Sequence, residues 1–414
     1  MKKPELLAPV GDMERLKVAV RFGADAVYLG GKTFGMRSSP ANFTDEQLEE
    51  AVKFCHENGV KLYLTCNVLP RNDELDELPD FLKHAADCGV DAFIISDLGV
   101  LEYAKKYAPN VEIHISTQAG IVNYAAAQAF CRLGAKRIVT ARELSMKEIK
   151  QLREHLDDDI DIECFVHGAM CVSFSGRCLI SNYLVSRDSN RGDCAQPCRW
   201  KYHLMEETRP GVYFPIGEEN GGTYILNSKD MCMIEHIPEM ISAGITSFKI
   251  EGRAKSAYYV AVVTNAYRKA IDGYFENPTK DYRPEQWVLD EMKKVSYRDY
   301  CTGFYYGDPK DDANISYEGG YRREWDVVAV VDKCENGVVY CTQRNRFFEG
   351  DEIEILEKSK KPTTVKAVSL KDENGNPIES TNRAMMKFSF ECPTVFEEGA
   401  LVRKAKDEPM RVTV

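Results

Sequence analysis

One phrase recurs along the first 250 residues, and it constrains the fold more than any other feature. A glycine stop is followed by a tight turn and then by a short apolar run. It appears as FGADAVYLG at 22–30, NGVKLYL at 58–64, CGVDAFIIS at 88–96, LGAKRIVT at 133–140 and AGITSFKI at 243–250. A helix that ends on glycine and turns at once into a buried β-rich run is the αβ half of a βαβ unit. Runs bounded by turn residues predict strands at Glu5–Ala8, Ala26–Leu29, Lys61–Asn67, Ala92–Ser96, Glu112–Ser116, Arg137–Thr140, Asp161–Val166 and Ser247–Ile250. Amphipathic helices are expected between them, among others at Asp45–Glu57, Glu74–Ala86, Tyr124–Arg132 and Ser145–Leu156. Eight βα units predict an α/β fold of the (β/α)₈ TIM-barrel type. A doubly wound open sheet is the alternative, weakened by the lack of a Gly-rich turn after the first strand.

The period breaks once. The seventh and eighth strands are far apart in sequence, and the gap holds Cys171, Cys178, Cys194, Cys198 and Cys232 with a hairpin expected across Tyr202–Leu226. This gives a barrel over 1–275 with a cysteine-rich insertion at 168–232. A long helix at Ser256–Ile271 closes the barrel, and a helical linker with a helix at Glu285–Val295 follows over 276–324. From Trp325 the pattern alternates with period two, so 325–414 reads as a small all-β domain, a barrel.

The balance of 54 Lys and Arg against 65 Asp and Glu gives −11, which excludes coating nucleic acid by overall charge. Residues 325–414 carry 16 acids and 14 bases, and Lys358-Ser-Lys360-Lys361 is the only dense basic run, read as a solvated turn. The opening MKKPELLAPVGD is not a leader peptide, and no run reaches the roughly 18 apolar residues of a membrane helix. A cytoplasmic protein without membrane contact is expected. Fourteen cysteines in a reducing compartment are then thiols or ligands rather than disulfides.

In such a barrel, function sits where the strands end. That places Cys55, Cys88 and Cys131 towards the opposite face and leaves Cys171, Cys178, Cys194, Cys198 and Cys232 able to converge on the active face. For Cys232 the expectation rests on a helix at Met231–Ala243 capped by Asp230. Converging soft donors suit an iron–sulfur cluster or zinc, although the spacings match no zinc finger. The polar strand ends include Asn67, Gln118, Arg142, His167, Lys249, Glu251 and Arg253, a set able to hold an anionic small molecule. Glu163 lies inside a strand and needs a cationic partner, Arg142 or Lys249. No zinc-protease, serine-hydrolase or P-loop motif is present.

The stretch from Glu163 through His167, Cys171, Arg177 and Cys178 to Ser181 resembles the signature of the collagenase-like peptidase family U-32. ELLAPVGD, DAVYLG, Cys194-Ala-Gln-Pro-Cys198-Arg199 and Lys249-Ile-Glu-Gly-Arg253 fit the same family, and the resemblance spans the chain. It implies one of two activities. The first is oxygen-independent C5 hydroxylation of the tRNA wobble uridine, with a 4Fe–4S cluster and with prephenate as hydroxyl donor. The length and β-rich tail resemble that tRNA-modifying branch. The second is a collagenase-like, metal-dependent peptidase with zinc as the metal. A non-catalytic RNA-binding role is a third reading. The resemblance implies cluster ligands at Cys171, Cys178, Cys194 and Cys232, with Cys198 as the alternative. Because forked guanidinium groups suit a dicarboxylate, Arg142 or Arg253 is expected to bind the donor near Gln118 and His167. Arg142, His167 and Glu163 are thus the expected catalytic residues. Asn67, Gln118, Arg177, Lys249, Glu251 and Arg253 are expected to bind substrate.

Overall fold

The stop glycines Gly23, Gly59, Gly89, Gly134 and Gly244 all take positive φ, so each helix ends where the next strand must begin. The computed structural model describes residues 2–35, 42–171, 174–189, 192–199, 203–205, 213–215, 229–307 and 321–412. The first seven strands are β1 Glu5–Pro9, β2 Ala26–Gly30, β3 Lys61–Cys66, β4 Ala92–Ile95, β5 Glu112–Ile115, β6 Arg137–Val139 and β7 Asp161–Ala169. After β8 His203–Met205, β9 Tyr213–Pro215 and β10 Asp230–Cys232 comes β11 Ser247–Ile250. Strands β1 to β7 pair in parallel in chain order, and β11 pairs in parallel with both β1 and β7. The eight-stranded parallel barrel is therefore closed, and the open-sheet alternative is excluded.

The outer layer follows from amphipathic patterning and capping. The helices are α1 Met13–Arg21, α2 Asp45–Glu57, α3 Leu78–Cys88, α4 Leu98–Tyr107, α5 Tyr124–Arg132, α6 Met146–Glu154, α7 Ile180–Val185 in the insertion, α8 Ile237–Ser242, α9 Ala257–Glu276 and α10 Gln286–Glu291. Asp12, Thr44, Asp97, Asn123, Ser145 and Ser256 each accept a first-turn N–H. α3 starts later than the expected Glu74 because Pro79 fits only its first turn.

Alternate strand residues divide between two cores. Leu6, Ala8, Val27 and Leu29 face the helices, whereas Leu7, Ala26, Tyr28, Tyr63, Ala92 and Ile94 fill the barrel.

Two expectations in the insertion are corrected or confined. No helix starts at Met231: Asp230–Cys232 is a strand, antiparallel to the end of β7 and parallel to β12 Tyr300–Cys301. Asp230 cannot cap a helix because its carboxylate is buried and held by Arg298, at 2.7 Å from Nη2 and 3.0 Å from Nε. Pro238 then starts α8 near Ile237. Within the predicted hairpin β8 pairs with β9, while the turns expected at Pro210-Gly211 and Asn220-Gly221-Gly222 lie outside the described residues.

The C-terminal strands are β13 Tyr321–Glu335, β14 Val338–Gln343, β15 Glu352–Leu356, β16 Thr363–Lys366, β17 Val368–Asp372, β18 Lys387–Glu391 and β19 Leu401–Val412. They form a separate antiparallel sheet in the order β16-β15-β19-β13-β14-β18-β17. Its two end strands are joined by one buried residue, Ala367, so the sheet curls round on itself about a core that includes Phe347, Phe388, Phe390 and Val402. β13 starts four residues before the predicted boundary at 325. Among the described residues no helix is long and apolar enough to cross a membrane.

Candidate functional site

The ends of the barrel strands and the start of the insertion enclose a pocket of about 440 Å³. Strand direction decides which side chains reach it. Asn67, Ser116, Thr117 and Gln118 follow β3 and β5, Arg142 and Glu143 follow β6, and Glu251 and Arg253 follow β11; all line the pocket. They are fixed by one another. Asn67 donates to Ser116 Oγ at 3.2 Å, and the Gln118 amide donates to the same oxygen at 3.3 Å. The insertion is pinned over them: the Ser175 amide donates to Glu143 at 2.8 Å. Gly176 has φ +74°, and a Cβ there would overlap the Gln118 carbonyl.

Four cations line the pocket: Arg142, Arg187, Lys249 and Arg253. The Arg142 guanidinium stacks 3.9 Å above the centre of the Phe165 ring, donates to Ala169 O at 2.9 Å and stands 3.6 Å from Glu251. It does not meet Glu163, one of the two partners the sequence suggested. Arg253 reaches across to Asn42 Oδ1 at 2.8 Å and Thr65 Oγ1 at 3.4 Å. It can do so because residue 30 is glycine; a Cβ there would occupy the guanidinium's place. Lys249 binds Glu163 at 2.6 Å and lies 4.4 Å from the centre of the Tyr28 ring.

Glu163 and His167 are not among the residues that line the pocket, contrary to expectation. Glu163 is wholly buried on the barrel axis between Lys249 and Arg137, the latter 3.0 Å away. Burial raises its carboxyl, but Lys249 and Arg137 outweigh that and hold it at about 2. Arg137 was not singled out in the sequence; it also binds Glu5 at 2.5 Å and Asp161 at 3.0 Å, which closes the far end of the barrel with charge.

His167 is displaced by a bulge. Lys249 pairs with Phe165 but Ile250 with His167, so Val166 is an extra residue and the alternation of β7 reverses. The imidazole turns outward among Tyr259, Tyr267 and Tyr300, and neither ring nitrogen has a hydrogen-bond partner among the described residues. Burial drives its value down to about 3, against the opposing pull of Asp230, so the ring is neutral at physiological pH. Arg177 is exposed and off the pocket, and Arg187 takes a place there, paired with Asp193 at 2.8 Å. Nothing in its local sequence separates Arg187 from any surface arginine.

Cys171, Cys178, Cys194 and Cys198 all line the pocket, whereas Cys232 does not. Cys232 lies on β10 beside His167, with its sulfur 4.0 Å from Tyr267 Oη, and burial pushes its thiol up to about 12. No disulfide forms among the described residues. Four soft donors lining one pocket match the donor chemistry of an iron–sulfur or zinc site. Their spacing is wider than a bound metal requires: among the described residues no three Cys, His, Asp or Glu side chains are gathered as a metal site. The other cysteines behave as packing residues, with Cys55, Cys66, Cys164, Cys301, Cys341 and Cys392 buried.

The chain is similar to known proteins over its whole length. It is 40% identical to tRNA hydroxylation protein P1 of Bacillus subtilis (strain 168), over 98% of this chain and 96% of that one. It is 33% identical to tRNA hydroxylation protein P of Escherichia coli (strain K12), over 86% of each. It is also 33% identical to a protein named collagenase from Porphyromonas gingivalis (strain ATCC BAA-308 / W83), over 77% of this chain and 78% of that one. Residues 323–403 match the model of the peptidase family U32 C-terminal domain. Residues 11–315, the barrel with its thiol-lined pocket, match that of peptidase family U32, and the chain belongs to that family.

Proposed function

We propose that this chain is an enzyme that hydroxylates a base of RNA, and specifically C5 of the tRNA wobble uridine. The observation that carries the reading is the pocket itself, which four thiols and four cations line at the end of the barrel. The names of the two tRNA hydroxylation relatives supply the reaction class.

The residues divide the work by position. Arg142, Lys249 and Arg253 supply positive charge for an anionic hydroxyl donor of the prephenate type, whose two carboxylates suit two forked guanidinium groups. Asn67 and Gln118 offer amide groups to the donor or to the edge of the base. Phe174, 44% exposed on the pocket wall, offers a ring face on which an extruded base stacks. Cys171, Cys178 and Cys194 would hold a 4Fe–4S cluster, with Cys232 as fourth ligand and Cys198 its competitor on position. Replacing a ring C–H by C–OH with oxygen supplied as hydroxide releases one proton and two electrons, so the reaction would need a separate two-electron acceptor, to which a cluster held by these thiols would relay the electrons. Glu163 holds Lys249 in place from below and has no part in the chemistry.

The collagenase-named relative makes peptide hydrolysis the competing reading. The pocket lends it little, because no histidine stands beside its serines and cysteines among the described residues. Protein purified without oxygen tests both readings through its iron, acid-labile sulfide and zinc content and its visible spectrum. About four irons and four sulfides per chain, together with loss of hydroxylated uridine from tRNA when the gene is deleted, is the expected result. A colourless, zinc-loaded protein that degrades gelatin would overturn it.

A further inference from the structure

The C-terminal domain carries a cationic, aromatic ledge that the linear sequence hides. Residues 343–348 and 380–385 lie side by side. Phe348 bridges to Ser380, the Thr381 amide donates to Phe347 O at 3.0 Å, and the Met385 amide donates to Gln343 Oε1 at 3.2 Å. The two stretches hold Arg344, Arg346 and Arg383 and no carboxylate, in a chain of net charge −11.

The outward groups of the ledge are of two kinds. Arg346 and Arg383 are exposed, and the Arg346 guanidinium lies 4.7 Å from the centre of the Phe348 ring. Phe348 is 46% exposed and Met385 60%. Two neighbouring acids are engaged elsewhere: Glu349 accepts the amides of Ser369 and Leu370, and Asp351 accepts that of Phe348 and pairs with Lys404, while Asp372 lies close enough to Arg383 to feel its charge. Arg346 beside the half-exposed Phe348 ring pairs a guanidinium with a flat apolar face, a combination that suits a polymer of phosphates and flat rings.

The ledge also has a position. Arg344 stands 3.7 Å from Glu14 in the first turn of α1. The first turn of a barrel helix lies on the face where the strands end, which is the face of the pocket.

We propose that this ledge is an RNA-binding surface, with Arg344, Arg346 and Arg383 on phosphates and Phe348 stacked on a base outside the pocket. It rests on the reading of RNA as substrate and adds where the rest of the RNA lies. The test measures binding of an unmodified tRNA transcript to the full chain by fluorescence anisotropy across a salt series. Melting temperature serves as the folding control. Phe348→Ala should weaken binding about tenfold, as loss of one stacking partner does. Arg346→Ala with Arg383→Ala should lower the salt slope by about two. Lys358→Ala with Lys361→Ala, on the other basic run, should leave both unchanged. Ledge variants that bind tRNA like the parent, while the parent restores hydroxylation in a deletion strain, would overturn the ledge and leave the function standing. A parent that neither binds tRNA nor restores hydroxylation would overturn the functional reading as well.

Discussion

His167 shows how far one inserted residue can move a side chain. As the first residue after a strand ending at Val166 it would face the pocket; the bulge at Val166 turns it into a cage of tyrosines instead. This placement has a pH signature. Its value in the fold, about 3, lies below the ordinary 6.5. The unfolded chain therefore takes up a proton as pH falls below about 6.5 while the folded chain does not, and stability declines over that window by up to about tenfold in the unfolding constant per pH unit. His167→Phe should flatten the slope of unfolding free energy between pH 6 and 4, measured by urea titration. The Glu163 contribution belongs to a lower window: held at about 2, it is complete above about 4.5 and fades as pH falls through 2. The pocket arginines test the donor site. Arg142→Lys and Arg253→Lys keep the charge but lose the fork, and each should cut hydroxylated uridine about tenfold while iron content holds. Normal modification in both variants would reduce these residues to rim contacts. At this scale the sequence was only partly legible. Asn67, Gln118, the three cations and Lys249 as a partner of Glu163 follow from strand ends alone, whereas its second partner did not, because Arg137 stands at the start of β6, far from the strand ends, and reaches Glu163 along the barrel interior.

The strands and helices themselves were the most legible level. Glycine stops and N-caps are local chemistry, so Asp45–Glu57 and Tyr124–Arg132 are the observed bounds of α2 and α5. Legibility failed at Met231–Ala243, where an apolar run that could have been a helix is claimed by the exposed edge of β7 and by Arg298, a partner 68 residues away. No local rule contains that information. The insertion is the element on which the thiols depend, and Gly176 is where it packs on the Gln118 carbonyl beyond β5. Gly176→Ala should force the loop off the Gln118 carbonyl, with iron retention and activity falling together and little change in melting temperature. Substituting each cysteine by serine sorts the ligands. Cys171, Cys178 and Cys194 should each be needed for iron retention, and the comparison of Cys232→Ser with Cys198→Ser identifies the fourth. If all five variants retain iron, the cluster assignment falls.

Barrel and β-domain are joined by buried charge. Arg403 of β19 is 0% exposed and binds Glu291 of α10 through both arms at 2.6 Å, and also Glu354 of β15. Without Arg403 the buried Glu291 keeps, among the described residues, only Lys294 as an ion-pair partner, 3.3 Å away, so Arg403→Ala should destabilise the chain by about 3 kcal/mol, visible as a lower urea midpoint. The boundary between the domains was legible as a change of period near Trp325. Their attachment was not, since it depends on residues more than a hundred positions apart.

The long gap between β7 and β11 also orders events in time. Seven strands can zip together as they leave the ribosome, each beside the one before it. The eighth is synthesised only after the whole cysteine segment, and the barrel stays an open trough until then. Closing a loop of about eighty residues costs only about 0.6 kcal/mol more than closing one of forty, so the delay is a matter of sequence order rather than of free energy. The thiols are thus in solvent before the pocket that will shelter them has its last wall.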